Sequence, residues 1–120
     1  MKRKNFYHTF EFEGRQVTLC LAVREDEPRF SQRLGYAPST STMHVGYAVC
    51  VPEDTFNEEL AKRISLGRAE SEKANLRQLA SQATTEFAFD LGILNATAKI
   101  FERKIKRGEV VIKGIRKDVE

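Results

Sequence analysis

Residues 45–69, VGYAVCVPEDTFNEELAKRISLGRA, pass from an alternating apolar run through a proline into a helical repeat and end on Gly-Arg. Met43, Val45, Tyr47, Val49 and Val51 alternate with His44, Gly46, Ala48 and Cys50, so 42–51 reads as a β-strand. Pro52 has no N–H to give to a ladder and ends it. Asp54 or Thr55 is placed to cap a helix whose acidic start (Glu53, Asp54, Glu58, Glu59) opposes the positive end of the helix dipole. Phe56, Leu60 and Ile64 recur at i, i+4 and i+8 and are the expected buried stripe. Gly67 is the expected stop, with Lys62, Arg63 and Arg68 near the negative end. The second face of the strand is built largely of small residues. Cys20 and Ala22 match it upstream, and such a face suits a sheet on which a helix packs closely.

Working outward toward the N-terminus, 5–12 alternates Phe6, His8, Phe10 and Phe12 with Tyr7, Thr9 and Glu11. Glu13-Gly14-Arg15 supplies a tight turn, and 16–24 returns with Val17, Leu19, Leu21 and Val23 on one face and Thr18, Cys20 and Ala22 on the other. Residues 25–41 have no period. They hold Pro28, Gly35 and Pro38 among Arg29, Phe30, Arg33 and Tyr36, and read as a long loop of the kind that serves as a binding surface or stays disordered.

Toward the C-terminus, Leu76, Leu79, Ala80, Ala83, Phe87, Leu91, Leu94, Ala98, Phe101 and Ile105 recur every three or four residues. This spacing predicts one kinked helix or two helices over 74–105, and Gly92 with the local alternation of 85–89 places the break within 84–92. Gly108 stops the run. Val110, Val111, Ile112 and Ile115 then suggest a last strand within a basic segment, 108–120, that carries Lys113, Arg116 and Lys117. The expected architecture is one α+β domain over 1–120, a small antiparallel sheet with two or three helices packed on one face.

The 120 residues are 41% hydrophobic and 31% charged, ordinary for a globular protein. No apolar run approaches the roughly 20 residues of a membrane helix, and the polar start Met1-Lys2-Arg3-Lys4 is unlike a secretory signal. The expected compartment is the cytoplasm, where Cys20 and Cys50 stay thiols in the core. His8, Cys20, His44 and Cys50 have no metal-ligand spacing, and no GxSxG, HExxH, P-loop or GxGxxG is present. Neither a metal nor a cofactor is expected, and the pattern favours a binding protein over an enzyme.

The net charge of +3 conceals two basic ends and an acidic middle, a layout that steers anions toward one pole. Lys99, Arg103, Lys104, Lys106 and Arg107 fall on the last turns of the second helical region. Arg103 and Arg107 share a face there, a pair suited to phosphate oxygens; complementing the helix dipole accounts for the same residues. Phe89 offers a ring for base stacking or for the core, and Asn95 offers an edge hydrogen bond.

Residues 45–57, followed by Ile64-Ser65-Leu66-Gly67-Arg68-Ala69, resemble small phage and prophage proteins, and among these the anti-Thoeris proteins that act as sponges for cyclic nucleotide messengers. The resemblance covers the strand, the proline, the capped helix and the Gly-Arg. It implies a homo-oligomer in the host cytoplasm that holds anionic signalling nucleotides intact in pockets between subunits, and so silences a host defence. The expected ligand residues are chosen for the chemistry that such a ligand requires: Arg68, Arg103 and Arg107 for phosphates, Phe89 for the base and Asn95 for its edge. The alternatives are a phage inhibitor that binds a host defence protein, such as a CRISPR effector, through the 25–41 loop and the basic ends, or a small nucleic-acid-binding accessory protein. The latter would show steep salt dependence.

Overall fold

The computed structural model describes residues 3–25, 30, 32–33, 35–36, 41–50, 55–71, 77–81 and 89–110, with 77–81 described by its backbone. Four strands, β1 (Arg3–Phe12), β2 (Arg15–Glu25), β3 (Ser41–Val49) and β4 (Arg77–Ser81), form one antiparallel sheet in the order β1-β2-β3-β4. Two helices accompany it, α1 (Glu58–Glu70) and α2 (Leu91–Lys106).

The β1–β2 hairpin closes as the alternation requires. Glu13 (φ 54°) and Gly14 (φ 72°) make a two-residue turn of the primed kind, whose twist matches that of the strands it joins. Phe12 then pairs with Arg15, and the register runs without a bulge to Arg3 opposite Arg24. Every residue of β2 from Val17 to Val23 is buried, on both faces. A strand covered on both sides needs a layer on each, and this decides where the helices go.

The α+β class and the antiparallel sheet are as expected. The helices, expected together on one face, take opposite faces. Leu94, Ala98, Phe101 and Ile105 of α2 join Phe10, Val17, Leu19, Leu21, Val23, Met43, Val45 and Tyr47 in the main core. On the other side Ala69 of α1 packs with Cys20 and Ala22, and Tyr7 and Leu66 close the edge of that cluster. There the packing is backbone to backbone. A Cβ on Gly46 would overlap the Ser65 carbonyl oxygen and the Ala69 nitrogen and stand 2.8 Å from Ala69 Cα.

Close approach also corrects the expected stripe of α1. Leu60 (46% exposed) and Ile64 (37%) face outward, and Phe56 is half-buried, whereas Ser65 and Ala69 are buried. The large residues stand off because only small ones fit against Gly46. Ser65 satisfies its hydroxyl locally by donating to the Lys62 carbonyl at 3.1 Å. The N-cap is Asn57, whose Oδ1 accepts from Leu60 N–H at 3.0 Å. Thr55 lies outside the helix, and Asp54 and Pro52 lie outside the described residues. With Asn57 as cap, Glu58 and Glu59 occupy the first turn, where the dipole favours them.

Gly67 does not stop α1, which continues to Glu70 with Ser71 as C-cap. Nothing lies within 4 Å of where its Cβ would be. Gly67→Ala should therefore stabilise the protein by about 0.5–1 kcal/mol, the propensity difference in a helix interior, read as a raised urea midpoint at unchanged slope.

The helical period over 74–105 holds only in its second part. Residues 77–81 form β4, pairing Arg77 with Val45 and Ser81 with Ser41. The edge of β3 offers unpaired backbone groups, and satisfying them outweighs a local preference for helix. Asp90 caps α2 by accepting from Ile93 N–H at 3.1 Å. The helix ends at Arg107, and Gly108 N–H turns back to the Ile105 carbonyl at 3.1 Å. Beyond Val110 the expected last strand lies outside the described residues, as does most of the 25–41 loop. Glu25 and Ser41 close β2 and open β3, and the described Phe30 and Tyr36 are exposed.

Candidate functional site

The last turns of α2 lie along β1, held by a polar cluster on the Phe-rich face of that strand. His8 Nε2 and Glu102 Oε1 are hydrogen-bonded at 2.6 Å, and Lys106 Nζ donates to Glu102 Oε2 at 2.8 Å. The His8 ring stacks on Phe10 at 5.7 Å, and Lys106 Nζ stands 5.7 Å from the centre of the Phe10 ring. The Lys106 bond is the main cause that holds the Glu102 carboxyl below its ordinary range; partial burial opposes it, and the His8 bond adds to the lowering.

A depressed carboxylate stabilises the fold above its unfolded pKa and loses that contribution as pH falls through the lower folded value. Glu102→Gln should destabilise the protein by about 1–2 kcal/mol at neutral pH, the scale of hydrogen bonds to a charged group. The difference should shrink as pH falls below the unfolded-state value near ~4.3 and disappear once pH has passed through the lower folded value. Urea midpoints across pH 2.5–7 check this.

Around this anchor sits a basic surface. Lys99 and Arg103 are exposed, and among the described residues neither takes part in an ion pair. Arg107 is exposed and lies 3.6 Å from Glu109. Arg103 and Arg107 are one turn apart, about 6 Å along the axis, and their backbones are tied by Arg107 N–H to the Arg103 carbonyl at 3.0 Å. The carbonyl end of a helix repels anions, so anion capture here falls to side chains that reach past it. The spacing fits two oxygens of one phosphate or of two neighbouring ones.

The other expected ligand residues do not join this pair within one chain. Asn95 is exposed on α2, but eight residues before Arg103, about 12 Å along the axis. Phe89 packs against the main core. Arg68 lies with α1 across the sheet, where its Nη1 donates to the Tyr47 carbonyl at 3.0 Å and its guanidinium stands 5.7 Å from the Tyr47 ring centre. It caps the stretch of β3 that β4 leaves uncovered. The anchor residues His8, Phe10 and Glu102 were not singled out from the sequence, although the Glu102–Lys106 spacing of i, i+4 was a signal for half of that cluster.

A second feature is a cavity of about 190 Å3 between the end of β3 and the start of α1, lined mainly by Val49, Cys50, Phe56, Leu60, Ala61 and Ile64. It is the consequence of the outward-turned stripe of α1. Among the described residues no three His, Cys, Asp or Glu side chains gather as a metal site, and no helix is long and apolar enough to cross a membrane.

Fold and site together define a small α+β protein with a basic helix end anchored on an aromatic strand. No family model, curated protein or solved structure matches the chain.

Proposed function

We propose that this is a phage anti-defence protein that binds an anionic cyclic nucleotide messenger and holds it without degrading it. The observation that carries the reading is the exposed Arg103–Arg107 pair, presented on a helix that His8, Glu102 and Lys106 fix to the sheet. With the helix fixed, only the two side chains have to be ordered for their guanidinium groups to give phosphate charge-assisted donors. The resemblance of 45–69 to cyclic nucleotide sponges supplies the ligand class.

Calorimetric titration with cyclic mono-, di- and trinucleotides tests it, followed by recovery of the ligand after heat denaturation. Binding with intact recovery is the expected result. Replacing Arg103 and Arg107 together by Ala should weaken it by about 100-fold or more, taking each charge-assisted bond at ~1.5–3 kcal/mol. No binding at micromolar protein overturns the reading, and a cleaved product makes the protein an enzyme.

The exposed rings of Phe30 (69%) and Tyr36 (58%) favour a second reading, inhibition of a host defence protein by direct docking. In that case Phe30→Ala with Tyr36→Ala abolishes inhibition, and the protein inhibits without binding any cyclic nucleotide.

A further inference from the structure

The outer edge of β1 is ten residues long, and among the described residues no strand pairs with it. Natural edges of this length are blunted by proline, bulges or inward charges. This one has no proline, its register with β2 runs unbroken from 3 to 12, and residues 5–10 (NFYHTF) carry no Lys, Arg, Asp or Glu. The charges stand at its two ends, Arg3 and Lys4 at one and Glu11 at the other.

The hairpin fixes which backbone groups face outward. A two-residue primed turn closes on a hydrogen-bonded pair, here Phe12 and Arg15, so the even residues of β1 bond to β2. Arg3, Asn5, Tyr7, Thr9 and Glu11 therefore turn their N–H and C=O groups away from the sheet.

We propose that this edge pairs with the same edge of a second copy, antiparallel about a two-fold axis at Tyr7. In that register Arg3 lies opposite the second copy's Glu11, Asn5 opposite its Thr9, and Tyr7 opposite its Tyr7. Each of these is a pair of outward-facing residues, so the ladder is complete and both sheets keep their faces. Charge selects this register over its neighbours, because it brings both basic ends against both acidic ends. It also answers a local conflict. Within one chain Arg3 lies opposite Arg24, a like-charge cross-strand pair that is unfavourable by itself, and Arg24 is already bonded to Glu70 at 3.1 Å. A Glu11 on the other side of Arg3 gives it a counter-charge. The result is a continuous eight-stranded sheet, independent of which ligand the basic helix end takes.

Sedimentation equilibrium of the full chain from micromolar to near-millimolar concentration tests the proposal. The weight-average mass should rise from 13.7 kDa toward twice that value. Arg3→Glu and Glu11→Arg should each weaken association by about four-fold to several hundred-fold, since each turns two attractive cross-strand pairs into repulsive ones, at ~0.2–1 kcal/mol either way per pair. The double variant should restore it. Asn5→Pro, which removes an outward N–H at an exposed residue and leaves the backbone bonds to β2 in place, should abolish it, with circular dichroism showing the fold retained. A monomer at every concentration overturns the proposal and leaves residues 111–120 or a different protein as the occupant of the edge. A dimer that the single charge reversals do not weaken, or that the double variant does not restore, overturns it as well.

Discussion

Gly46→Val should be the most damaging single substitution in the described structure, lowering stability by at least about 3 kcal/mol and releasing α1 from the sheet. Overpacking a core commonly costs about 1–3 kcal/mol because side chains can shift rotamers to make room. Here the atoms in the way are the Ser65 carbonyl oxygen and the Ala69 backbone, which cannot rotate aside. The helix must move as a body, and with it go Ala69 over Cys20 and Ala22, the Arg24–Glu70 pair and the Arg68 bond to Tyr47. Against a total stability of ~5–15 kcal/mol, this change brings the protein near the unfolding threshold.

Cys20 gives a direct readout. Its thiol is fully buried beneath α1, and desolvation pushes its pKa up to about 12, so in the native protein it should not react with iodoacetamide at pH 8. Half-buried Cys50 lines the open cavity and serves as an internal reference. In Gly46→Val, Cys20 should label at a rate approaching that of Cys50. A variant that keeps Cys20 protected and its urea midpoint unchanged would show that the helix does not approach the strand as closely as described.

Leu94→Ala should produce the second large loss, about 2–5 kcal/mol, from the opposite face. Leu94 is fully buried in the first turn of α2, packed in the cluster that includes Val17, Leu19, Leu21 and Val45. Deleting three carbon atoms there forfeits their transfer energy and leaves a cavity, and the spread in the estimate reflects how far the site can collapse. The loss should be global, since α2 supplies the only described helix on that face. The His8–Glu102–Lys106 cluster should then hold the far end of α2 less firmly, so any anion affinity at Arg103 and Arg107 should fall along with stability. Chemical denaturation gives the first effect and titration with the ligand the second. An unchanged midpoint would remove α2 from the core.

These two substitutions divide what could be read from the chain from what could not. The β1–β2 hairpin was legible apart from its turn: the two-residue alternation on either side of Glu-Gly leaves one register in which the apolar faces coincide, while Arg15, expected in the turn, opens β2 opposite Phe12. The small-residue face of 42–51 was legible as well, and Gly46 shows why, because a strand that omits side chains is one that meets another backbone. The basic pair at Arg103 and Arg107 needed only the helical period and its glycine stop.

Three features depended on contacts between distant residues. The stripe Phe56, Leu60 and Ile64 has the spacing of a buried face, yet the helix is oriented by Ser65 and Ala69 fitting against Gly46, a steric condition that hydrophobic periodicity does not contain. Residues 77–81 carry a helical period and form a strand because the β3 edge offers them backbone partners. The distribution of the helices over two faces follows from β2 being buried on both sides, so Arg68 and Arg103, which sequence chemistry placed in one site, are separated by the sheet. Strands β1 to β3, the place of the hairpin turn and the layout of charge were determined by the sequence itself, because neighbouring residues along the chain set them. Which side each helix covers, and so which charged groups meet, was decided only in the tertiary structure, where close packing chooses among faces that local pattern leaves equivalent.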